Sequence, residues 1–143
     1  MKEYISGVAM LLILCVFLVQ FTFNQVIQNK TLLAENDINT FIEEIKKDGY
    51  VTEEAKLTLQ ENLKRDLKLD DYEGIEISGT TEAERKVRVL GGADSYEQSL
   101  IEYRVEYPIK NVIGANRFFG ISDDENTATR VREGKTASEF VQW

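Results

Sequence analysis

The chain has 143 residues, 25 of them acidic and 17 basic, which gives a net charge of −8 with no histidine. That balance argues against DNA or RNA as a ligand, because phosphate binding needs clustered Lys and Arg. The single cysteine, Cys15, lies in an apolar stretch, so no disulfide can form within the chain and no reactive thiol is expected.

From Tyr4 to Asn29 there is no charged residue, and Ile5–Phe23 is almost wholly apolar. At about 1.5 Å per residue the run makes a helix of roughly 39 Å, enough to cross a ~30 Å hydrocarbon layer with some tilt. The run is longer than the apolar core of a secretory signal. Its exit, Val19–Asn24, offers large residues where a cleavage site needs small ones. The expectation is a retained single-pass anchor in the cell membrane. Lys2 precedes the run and Lys30 follows it, so flanking charge says little about orientation. The acidic, His-free remainder is expected outside the cell.

Beyond Asn24 no Pro or Gly occurs until Gly49. Ile38, Phe41, Ile42 and Ile45 follow the 3-4 spacing of one helical face, with Ile27 and Leu33 before them. Lys46 and Lys47 suit the negative end of a helix, and Gly49 suits the position just past it. One helix is predicted over Glu3–Asp48, roughly 70 Å long, apolar all round in its first half and amphipathic in its second. The 3-4 spacing lasts about two heptads, too short for a coiled coil, and is read as packing on the chain's own head. Thr52, with Glu53 and Glu54 after it, predicts the start of a short second helix. Leu59, Leu63 and Leu67 form its stripe, and the brief link Gly49–Thr52 folds it back on the first helix.

After Asp70 the period becomes two. Ile75 and Ile77, then Val87 and Val89, then Ile101, Tyr103, Val105 and Tyr107 alternate with polar residues. Gly91-Gly92 is expected to end the second run and Pro108 the third. The links Gly79–Glu84 and Gly91–Glu97 suit hairpins. Asn111–Ile121 reads as a loop that packs its aromatics under the sheet, and Asn126–Glu133 as a weak fourth strand. The apolar tail Phe140–Trp143 either docks in its own core or forms a contact surface. The resulting fold class is α+β: a long N-terminal helix over residues 1–48, with residues 4–29 its membrane or filament-core segment, and a head over 49–143. The head holds a short helix and an antiparallel sheet of three to four strands.

Residues that carry chemistry are sparse. No Gly-x-Ser-x-Gly elbow or Gly-x-x-x-x-Gly-Lys loop occurs. Ser122–Asn126 is rich in oxygen but lacks calcium-loop spacing, and reads as a solvated turn. The expectation is a protein that is not an enzyme, with no catalytic residues, cofactor, metal or small-molecule substrate.

The order of parts resembles type IV pilin-like proteins, above all the TadE-like minor pilins and pseudopilins of tight-adherence systems. The likeness rests on the span Ser6–Phe21, the helix continuing to Lys47, the turn Lys47–Thr52 and the strand Leu100–Ile109. It implies a structural subunit of a bacterial surface filament or secretion apparatus. Its partners would be itself, other pilin-like subunits and membrane lipid. It would sit in the membrane with its head outside, and then in an extracellular filament. In that core the resemblance implies packing by Ile5, Val8, Leu11, Leu12, Phe17, Leu18 and Phe21, with Gly7 as the candidate processing position. Cleavage after Gly7 would leave Leu12 where the family places Glu, which points to an unprocessed or minor subunit. The alternative expectation is a single-pass membrane-anchored scaffold or interaction protein with an extracytoplasmic head, which pairs through its juxtamembrane helix.

Overall fold

A computed structural model describes residues 1–89 and 96–142. Helix α1 runs unbroken over Lys2–Asp48 and α2 over Glu53–Leu67. Strands β1 (Glu76–Gly79), β2 (Leu100–Lys110) and β3 (Thr127–Ala137) form one antiparallel sheet in the order β1-β2-β3. The fold is the α+β arrangement expected from the sequence, with three strands among the described residues.

Local chemistry explains the helix ends. Gly49 takes φ 80°, a left-handed conformation that glycine adopts without a Cβ penalty, and its N–H donates to Ile45 O. Thr52 is extended, and its hydroxyl accepts from Ala55 N at 3.1 Å, satisfying one of the free donors of α2. With so short a link the two helices lie side by side.

The core sits between this helix pair and the sheet. Ala34, Ile38, Phe41 and Ile45 of α1 meet Leu59, Leu63 and Leu67 of α2, and both meet Ile101, Val105, Tyr107 and Ile109 of β2. Each of the three leucines contributes about 1.5–3 kcal/mol by leaving water. The opposite face of β2 carries Glu102 and Arg104, which bridge to Lys135 (2.6 Å) and Glu133 (3.5 Å) of β3. These exposed pairs contribute about 0–1 kcal/mol each.

Three expectations need correction: a strand at Val87 and Val89, a hairpin link at Gly79–Glu84 and a stop at Pro108. Val87 and Val89 lie in no strand. Lys86 N donates to Gly49 O and Arg88 N to Phe140 O, so single bonds to the helical turn and the tail take the place of a ladder. Gly91-Gly92 lies outside the described residues, and β1 pairs directly with β2, Glu76 opposite Glu106. Pro108 does not stop β2, which continues to Lys110. The proline sits past the last β1 pair, where that edge of β2 asks for no donor. The weak strand after Asn126 is β3, and it pairs with the whole of β2 from Lys110↔Thr127 to Leu100↔Ala137.

The tail docks on the head as far as Phe140. The Arg85 guanidinium lies between the rings of Tyr50 and Phe140, 4.5 and 4.9 Å from their centroids. Ser138 Oγ donates to Lys86 O at 2.8 Å. Trp143 lies outside the described residues.

Candidate functional site

The surface that distinguishes this molecule is α1 itself. A single face of it runs through Val16, Gln20, Phe23, Ile27, Thr31, Ala34, Ile38, Phe41 and Ile45, in steps of three and four. Exposure falls along this line from the N-terminal side. Val16 is 36% exposed, Phe23 and Ile27 are half-buried, and Ala34 onward is buried. The head therefore grips α1 well beyond the amphipathic half, and its footprint crosses Asn24 into the apolar run.

The element that reaches into the run is the β2–β3 connection. Gly114 N donates to Gln20 Oε1 at 3.0 Å, and Gln20 Nε2 donates to Val112 O at 3.4 Å and to Asn24 Oδ1 at 3.1 Å. Gly114 must be glycine there, since a Cβ would lie 2.6 Å from the Phe23 ring and 3.1 Å from Val19. Ala115 is left-handed at φ 59°, a conformation that costs a non-glycine residue about 1–2 kcal/mol. It leads into a single turn, Asn116–Phe119, ended by Gly120 at φ 71°.

Asn126 closes the base of this loop and is 2% exposed. Its Oδ1 accepts from Ile113 N at 2.7 Å and its Nδ2 donates to Ile113 O at 2.9 Å. Its backbone O accepts from Asn111 N at 2.8 Å. One side chain thus replaces a strand pair beyond the end of the ladder. The aromatics do not pack under the sheet. Phe118 and Phe119 meet edge to face at 5.6 Å, and are 82% and 56% exposed beside the apolar part of α1. The loop is held to the helix by Gln20, so its rings are carried away from the sheet.

All seven residues expected to pack in a helix core lie on α1. Ile5, Val8, Leu11, Leu12, Phe17, Leu18 and Phe21 are each exposed, from 60% at Val8 to 70% at Phe17. They encircle the helix instead of marking one face. Gly7 is exposed mid-helix, and a Cβ there would meet nothing within 4 Å. The sequence reading missed Val16, Val19, Gln20 and Phe23, the stripe covered by the loop. Gln20 was the available signal: a polar amide inside an apolar run needs a partner. Of the oxygen-rich turn, Asp123 accepts from Asn116 (2.9 Å) and Arg117 (3.0 Å), and Glu125 from Ser122 N (3.2 Å) and Oγ (3.0 Å). These donors hold the Asp123 and Glu125 carboxyls below their ordinary pKa values. Among the described residues no group of three or more His, Cys, Asp or Glu side chains is placed to hold a metal ion.

One titrating pair lies apart from this surface. Asp37 of α1 faces Asp66 of α2. Burial, then the Asp66 charge, pushes Asp37 up to about 6, and a protonated Asp37 carboxyl donates to Asp66. Asp37 Oδ2 is buried with no donor facing it, while Asp66 accepts from Arg65 Nε at 2.8 Å.

By length and composition α1 is able to cross a membrane. Comparison with protein-family models, with curated proteins and with solved structures finds no match for this chain.

Proposed function

We propose that this chain is a structural, pilin-like subunit of a bacterial surface filament or secretion apparatus. Its apolar helix half sits first in the cell membrane, with the head outside, and then among copies of itself or of related subunits. The observation that carries this reading is the division of labour along α1. The head closes its core on Ala34–Ile45 and leaves most of the circumference of Ile5–Phe21 uncovered on a single unbroken helix.

In lipid, that circumference is solvated by acyl chains. In a filament, the same residues would be solvated by neighbouring helices, which need van der Waals fit more than a hydrophobic drive. Because Ile38, Phe41 and Ile45 are buried by the chain's own head, they are not free to pair with another helix. This weighs against the alternative, a scaffold that binds partners through its juxtamembrane helix.

Electron microscopy of extracellular material sheared from the native cells tests the proposal. The expected outcome is ordered fibres containing this chain. Leu11→Glu places a charge in the uncovered half and should abolish its incorporation, with the head still folded. Normal fibres carrying Leu11→Glu, or a chain found only in the membrane fraction as a dimer or heteromer, would count against it.

A further inference from the structure

We propose that the Phe118–Phe119 loop lies in the acyl-chain layer of the leaflet nearest the head, as a second membrane contact beside α1. This rests on the reading of α1 as a membrane span. The occupant is lipid hydrocarbon, and three observations point to it.

The first is depth. Gly114 is fixed to Gln20, Val19 and Phe23, all inside the uncharged run that ends before Lys30. An apolar crevice between the loop and α1 continues past Gln20 to Ile13 and Leu12, about 12 Å further along the axis. A bilayer that surrounds Leu12 and Ile13 also surrounds whatever lies beside them.

The second is chemistry. The crevice is lined by Leu12, Ile13, Val16, Ala115, Phe118 and Phe119, with almost no polar atom at its surface. Two adjacent, exposed phenylalanines are an unfavourable surface in water and an ordinary one in hydrocarbon. The charge on the same turn is neutralised locally, Arg117 bridging Asp123 at 3.0 Å.

The third is construction. The loop is held in place by the Asn126 staple and by both amide contacts of Gln20, which together sustain a left-handed Ala115. The rings are thus carried on a fixed platform at a set height on α1.

Depth-dependent quenching tests this. The full chain, with Trp143→Phe removing its one tryptophan, is placed at one copy per phosphatidylcholine nanodisc, with and without bromine on the acyl chains. Tryptophan is then introduced singly as Phe119→Trp, Leu12→Trp or Tyr96→Trp. Tyr96 precedes β2 and borders the same surface hollow as Lys46, at the far end of the head. The expected result is a loss of emission at position 119 comparable with that at position 12, and none at 96. Phe118→Trp, at a more exposed site, gives the same reading if Phe119→Trp disturbs the fold. Quenching at 12 without quenching at 118 or 119 overturns the loop contact and leaves the span intact. Absence of quenching at 12 as well overturns the span reading and this inference with it.

Discussion

The two halves of α1 share one helix and one period, yet they are surrounded by different things. Residues Ala34, Ile38, Phe41 and Ile45 are buried on a narrow stripe flanked by Ile27 and Ile42, and most of the rest of that half is polar and exposed. Residues from Ile5 to Leu18 are apolar in nearly every direction, and the only protein beside them is the β2–β3 loop, which lies along one side from Leu12 to Val19 among the described residues. The contrast separates two roles that hydrophobicity alone conflates. A narrow apolar stripe identifies a surface the chain covers itself. An all-round apolar surface identifies one that the surroundings must cover.

The comparison breaks most sharply under truncation of the same side chain in each half. Phe41 is 2% exposed in the core, whereas Phe17 is 70% exposed. Phe41→Ala should lower head stability by about 3–5 kcal/mol through lost burial and a residual cavity. Phe17→Ala should leave it within about 0.5 kcal/mol. Denaturant unfolding in detergent, followed through the head, measures both. Equal losses would mean that the apolar half is part of the head's folding unit.

The border between the halves is sharpened by Asn126. Asn126→Ala removes two hydrogen bonds and leaves Ile113 N–H and C=O without their partner. It should cost about 1–3 kcal/mol. The loss should be local, with faster amide exchange at Ile113 and Gly114 and little change at Ile101 or Val105 in the core. Protection unchanged at Gly114 would show that Gln20 alone holds the loop on α1.

The sequence makes some of this legible for physical reasons. The α1–α2 hairpin could be read because its signals are local: Gly49 past the last turn, Thr52 at the cap, and leucines four apart. The alternation of Ile101, Tyr103, Val105 and Tyr107 revealed β2 because one side of that strand is core and the other water. The strand expected at Val87 and Val89 failed because alternation does not say whether a neighbour is present to pair with. β3 was nearly hidden because its inner face carries Arg130, Arg132 and Gly134 where apolar residues would be expected. Arg132 reaches Glu35 of α1 at 3.8 Å, and a Cβ at position 134 would meet the Tyr103 hydroxyl at 2.8 Å. The loop site was illegible because Gln20 and Gly114 stand 94 residues apart, and no local pattern links them.

The smallest effect concerns the edge of α1 that faces α2, where the helix carries charge without a full solvent shell. Asp37 has its pKa raised to about 6 by burial and by Asp66. The folded state therefore holds the Asp37 proton more tightly than the unfolded chain, whose value is near ~4. Between about pH 4 and 6 the folded state binds more protons, so stability falls as pH rises through this window. At pH 7 the ionised carboxylate is a net cost. Asp37→Asn offers Asp66 an amide donor with no charge. It should raise stability at pH 7 by on the order of 1 kcal/mol, after allowance for solvent screening at a partly exposed site. The gain should shrink on acidification to about pH 4.5, where wild-type Asp37 is itself protonated. Urea midpoints of both proteins across that range give the comparison. A variant less stable than wild type at pH 7 would mean that attraction to Arg65 outweighs repulsion from Asp66. The amphipathic half would then tolerate its carboxylate as readily as an exposed surface does, and only the apolar half of α1 would be sensitive to charge.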